Sequence, residues 1–166
     1  MPGSDKTIER LIEAAIDIEC RAAAIYQTFS EQFTQVPGLS AFWQDLNKDE
    51  IEHAAILKDT GRLLTAEQLS AQPGDKMWED IAAIRLMLDQ EPVSAVNTLD
   101  DAYELAHELE FSETNAIFRF LAAECVPSGI RKEFVHAVLE QHLKKLADFT
   151  QSFGGRQWRR GIVKTF

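Results

Sequence analysis

Glu50-Ile51-Glu52-His53 places a carboxylate and an imidazole three residues apart. On a helix such residues share one side, so Glu50 and His53 can bind the same cation. The positions around them form an apolar stripe: Leu39, Trp43, Leu46, Leu57 and Leu64. Glu50 and His53 therefore occupy slots where a helical bundle would hold leucine. A carboxylate buried alone costs several kcal/mol, so a compensating partner is expected there, and a metal ion is the natural candidate.

Three further segments carry the same anomaly. The stripe Ile8, Ile12, Ala15, Ala22, Tyr26, Phe29 is apolar except at Glu19. Leu99, Tyr103, Ala106, Ile117 and Phe120 are interrupted by Glu110 and Glu113, and Val135, Leu139, Leu146, Phe149 and Phe153 by His142. If consecutive segments fold back at turns near residues 35 and 126, Glu19 lies level with Glu50, and His142 level with Glu110. The candidate metal ligands are thus Glu19, Glu50, His53, Glu110, Glu113 and His142. The competing reading is a buried polar layer with no metal. Carboxylate-rich, histidine-poor ligation suits iron or manganese better than zinc or copper.

Several neighbours have two readings. Tyr26, two turns from Glu19, is the candidate catalytic residue, placed to hydrogen-bond a ligand or gate a radical; the alternative is core packing. His107 stands behind Glu110 or is exposed. Glu133 and His136 form a second Glu-x-x-His about two turns nearer the bend than His142, and read as a surface pair or one behind the ligands.

Four long helical segments must position these side chains. The first spans residues 5–32, with Pro37-Gly38 as the turn after it. The second spans 39–60, with Gly61 as a C-cap. Residues 63–97 form a long connection, broken at Pro73-Gly74 and Glu91-Pro92, in which residues 77–88 read as a short amphipathic helix. Thr98-Leu99-Asp100-Asp101 has the form of an acidic capping box and opens the third segment, which runs to about residue 124. The fourth runs from Ser128 to about Phe153. Hairpin, long crossover, hairpin is the ferritin-like arrangement of an all-α four-helix bundle. The expected organisation is a single domain over 1–166: hairpin 5–62, crossover 63–97, hairpin 98–153, and a basic tail 154–166.

Composition agrees with a helical globular chain. Its 166 residues are enough for one substantial core, with 45% hydrophobic and 27% charged residues and few Gly and Pro. A net charge of −10 argues against nucleic acid as a partner. No apolar run approaches the roughly 20 residues of a membrane span. The N-terminal residues lack the pattern of a signal peptide, and a cytoplasmic location is expected. The two cysteines, Cys20 and Cys125, form no Cys-x-x-Cys pair, which excludes a rubredoxin-type module from these 166 residues. Each is read as a small buried hydrophobe. The tail residues Arg156, Trp158, Arg159, Arg160 and Lys164 are read as packing along the acidic bundle or a sister subunit.

Glu19 with Tyr26 seven residues on, then Glu50-x-x-His53, then Glu110 after a crossover, resembles the rubrerythrin branch of the ferritin-like superfamily. The resemblance covers residues 5–153 and is strongest in the first hairpin. It implies a two-metal carboxylate site, usually di-iron, with Glu19 and Glu110 as terminal carboxylates and Glu50 bridging beside His53. It also implies an oxidoreductase that reduces peroxide or O₂ or oxidises Fe²⁺. Electrons would come from a separate donor protein or from Fe²⁺ itself, and a homodimer is expected by analogy. Leu139 stands where a second bridging glutamate belongs. Glu113 offers compensation, because some rubrerythrins use an extra carboxylate at that spacing. Two alternatives follow from the missing carboxylate: a non-catalytic iron-handling or sensing protein, or a metal-free helical scaffold.

Overall fold

A computed structural model describes residues 6–36, 38–90, 93–120, 141 and 144–149, with the side chains of 94 and 113–120 outside the described set. Every regular element among the described residues is helical. Helix α1 is Ile8–Gln32, α2 is Leu39–Leu63, α3 is Ala66–Ser70, α4 is Asp75–Gln90 and α5 is Leu99–Phe120. A 3-10 turn at Val93–Ala95 precedes α5, and residues 144–149 are helical.

Helix α1 starts at Thr7, whose Oγ1 accepts the Arg10 N–H at 3.3 Å. That satisfies one of the N–H groups a helix start leaves without a partner. Its inner face is the expected stripe, since Ile8, Ile12, Ala15, Ala22, Tyr26 and Phe29 are all buried. Gly38 begins α2 with φ 82°, a left-handed conformation that glycine adopts without a Cβ clash and that folds α2 back along α1. Asn47 ties the two helices together, its side-chain amide donating to the Ala23 carbonyl at 2.7 Å.

Helix α2 continues through Gly61 to Leu63, with Leu64 at its C-cap, which corrects Gly61 as the end. Gly61 does not take the positive φ by which a glycine closes a helix, so the last turn continues. Leucine and tryptophan positions of the α2 stripe (Leu39, Trp43, Leu46, Leu57) are buried.

The crossover is more helical than its punctuation suggests. Thr65 and Gln68 form a full capping box for α3, and α4 extends past both ends of the expected 77–88 helix. Ile81, Ile84 and Leu88 of α4 face the core, while Arg85 and Arg21 form exposed ion pairs with Asp17 and Asp89 that link α4 to α1. Helix α5 opens on the expected capping box. Thr98 Oγ1 accepts the Asp101 N–H at 3.1 Å, and Asp101 Oδ2 accepts the Thr98 N–H at 2.9 Å. Leu146 and Phe149 are buried as their stripe predicts, and Lys145 pairs with Asp49 of α2.

Cys20 departs from the expectation. It is exposed, because Ile18 and Glu19 take the inward positions and the next residue is turned about 100° away. Cys125, the end of the third segment beyond Phe120, most of the fourth segment and the basic tail lie outside the described residues.

Candidate metal centre

Glu19 on α1 and Glu50 and His53 on α2 converge at the middle of the hairpin. Each offers one ligand atom, and the three atoms lie within 4.8 Å of one another. His53 Nδ1 lies within hydrogen-bond distance of Glu50 Oε2, at 3.1 Å, and 3.6 Å from Glu19 Oε2. Both carboxylates have 0% exposure, and His53 has 5%. The helical spacing puts Glu50 and His53 on one side of α2, and the α1 stripe brings Glu19 to the same height.

The electrostatics of this cluster are lopsided. Among the described residues, neither oxygen of Glu19 accepts a hydrogen bond, and His53 Nδ1 lies 3.6 Å away. Two buried carboxylates face one imidazole, which offers at most one positive charge, so negative charge remains in a medium where an uncompensated ion costs several kcal/mol. A divalent cation supplies the missing positive charge, and two carboxylates with an imidazole are a donor set that iron and manganese accept. The residues present fit a metal ion.

Glu110 on α5 is treated differently. It is 2% exposed, and its Oε1 accepts a 2.8 Å hydrogen bond from the Tyr26 hydroxyl, across 84 residues of sequence. It is not part of the cluster defined by the 4.8 Å limit. Tyr26 unites its two readings: it bonds a candidate ligand, and its ring packs in the core against Trp43 and Phe29.

A family model for rubrerythrin matches residues 10–137. The chain belongs to the rubrerythrin family. The matched span contains Glu19, Glu50, His53, Glu110 and Glu113 and ends before His142. For a rubrerythrin-family chain the fold is the expected one. A crystal structure described as a ferritin-like diiron-carboxylate protein from Thermotoga maritima superposes with a TM-score of 0.61 at 15% identity, over 87% of this chain and 93% of that one. The fold is ferritin-like. No curated protein matches the sequence. Family membership implies a metal cofactor. Among the described residues, no helix is long and apolar enough to cross a membrane.

The remaining candidates divide as follows. The side chain of Glu113 lies outside the described residues, as do His142, Leu139 and the Glu133/His136 pair. His107 is exposed and stacks on Phe111, with ring centroids 6.3 Å apart and planes 7° from parallel. Asp100, which the sequence reading treated as part of a cap, is a buried acid at 4% exposure.

Proposed function

We propose that this chain is a rubrerythrin-like metal-dependent oxidoreductase, reducing peroxide or O₂ or oxidising Fe²⁺. Glu19, Glu50 and His53 hold the first ion, and Glu110, Glu113 and His142 complete a dinuclear site. The observation that carries this reading is Glu19: a fully buried carboxylate that accepts no hydrogen bond among the described residues, facing a second carboxylate and an imidazole within ligand distance. Bound iron or manganese supplies one-electron redox steps at the centre of the bundle. The chain's own residues hold the ions away from water, and Tyr26 orients Glu110 through its 2.8 Å bond. Electrons come from a separate donor protein or from Fe²⁺, and the protein works as a homodimer.

A second reading, a binder without turnover, draws on Leu139, which stands where the mirror glutamate belongs. Anaerobic titration of metal-free protein with Fe²⁺, followed by peroxide addition, separates the readings. Two ions per chain with rapid peroxide loss is the expected result. One ion without peroxide loss leaves the binder, and no uptake at all overturns both.

A further inference from the structure

An unbroken file of ring contacts leads from Glu110 to the protein surface. Tyr26, bonded to Glu110, stacks on Trp43 with centroids 5.9 Å apart and planes at 20°. Trp43 meets Phe149 at 5.7 Å, and Phe149 stacks on Tyr103 at 5.6 Å and 14°. Tyr103, only partly buried, adjoins the exposed His107 at 6.1 Å. The file draws its rings from α1, α2, the helical segment 144–149 and α5. Both tyrosines of the chain lie in it.

Core packing explains the area these rings bury but not their chemistry. Trp43 is fully buried, and among the described residues its indole N–H meets no acceptor. A buried donor left unpaired costs stability, and a phenylalanine would fill much of the same space without it. An indole does have one property phenylalanine lacks: it gives up an electron readily. So do the two phenols on either side. Rings in contact pass electrons efficiently because tunnelling falls off steeply with distance, and successive centroids from Tyr26 to Tyr103 lie 5.6–5.9 Å apart.

We infer that Tyr26, Trp43 and Tyr103, bridged by Phe149, form a relay for single electrons between the Glu110 end of the buried site and the partly exposed edge of α5. An oxidised transition-metal ion held at the site would supply the one-electron oxidant, and Tyr26 would give up the electron. The phenolic proton moves along the existing bond to Glu110 Oε1, leaving a neutral phenoxyl radical. Trp43 then returns an electron to Tyr26, whose oxygen recovers the proton. Tyr103 refills Trp43 through Phe149 and releases its phenolic proton to solvent at its partly exposed edge, and a one-electron reductant at the surface, with a proton from solvent, restores Tyr103. Its role in turnover rests on the metal-site reading, whereas the relay is a property of the rings and is tested without metal.

Flash photoionisation of metal-free, full-length W78F/W158F protein leaves Trp43 as the one indole that can be ionised. The ejected electron is removed by dissolved nitrous oxide, and tert-butanol scavenges the hydroxyl radical this produces. The expected result is decay of the indolyl band with matching growth of a phenoxyl band, at a rate independent of protein concentration. Adding Y26F isolates transfer to Tyr103, and adding Y103F isolates transfer to Tyr26. In the Y26F background, F149L should slow phenoxyl growth about tenfold, the signature of a lost bridge. Circular dichroism confirms that each variant is folded. Indolyl decay without phenoxyl growth overturns the relay, and so does an F149L rate equal to its parent. Because no metal is present, failed Fe²⁺ uptake removes the metal reading and leaves this result standing.

Discussion

Glu19 and Glu110 are both buried carboxylates, brought into one core from opposite halves of the chain, yet their surroundings differ. Glu110 already has a donor in the Tyr26 hydroxyl. Glu19 has only the edge of His53 at 3.6 Å and accepts no hydrogen bond among the described residues. The contrast shows that burial alone does not mark a ligand. A satisfied acid contributes to the metal-free fold, whereas an unsatisfied one makes the fold less stable until a cation arrives.

Substitution should therefore move the two sites in opposite directions. Glu19→Leu removes a direct donor, and metal affinity should fall about 100-fold or more, at least as much as losing a group behind a ligand costs. The same change should stabilise the metal-free protein by about 1–4 kcal/mol, as replacing buried charge with packed hydrocarbon does. Calorimetric titration with Mn²⁺ and a thermal melt without metal read the two effects. An unchanged or lowered melting temperature would show that Glu19 is compensated after all.

Tyr26→Phe takes a donor from Glu110 and keeps the ring. It should destabilise the metal-free protein by about 1–3 kcal/mol in urea unfolding, opposite in sign to Glu19→Leu. Equal signs would erase the contrast. A third acid calibrates both. Asp17 is half exposed and pairs with Arg85 at 3.1 Å, so Arg85→Ala should shift the urea midpoint by no more than about 1 kcal/mol in equivalent stability. A larger shift would mean that surface pairs contribute here as buried acids do.

The sequence revealed these acids to different degrees. Glu19, Glu50 and His53 stood out because each interrupts an apolar stripe whose period fixes the inward face, and a short hairpin sets their relative height. The partner of Glu110 was not legible. A bond from Tyr26 across 84 residues depends on how α5 packs against α1, which no local pattern encodes. The end of α2 was not legible either: Gly61 can close a helix by taking a positive φ or continue it, and it continues it. The Thr65/Gln68 capping box of α3 was written in the sequence and passed over, since a five-residue helix carries no apolar period. Cys20 shows the limit of composition, because residue type favoured burial and helical phase placed it outside.

Asn47 has a consequence beyond joining two helices. Its amide grips the Ala23 carbonyl one turn from Glu19, and Asn47 itself sits three residues before Glu50. Sliding α1 along α2 by a single turn, about 5.4 Å, would break that grip and carry Glu19 out of reach of Glu50. The separation of the two carboxylates is thus gauged by an amide that belongs to neither. A substitution at Asn47 is a means of detuning the cluster's fit to an ion while every candidate ligand stays in the chain.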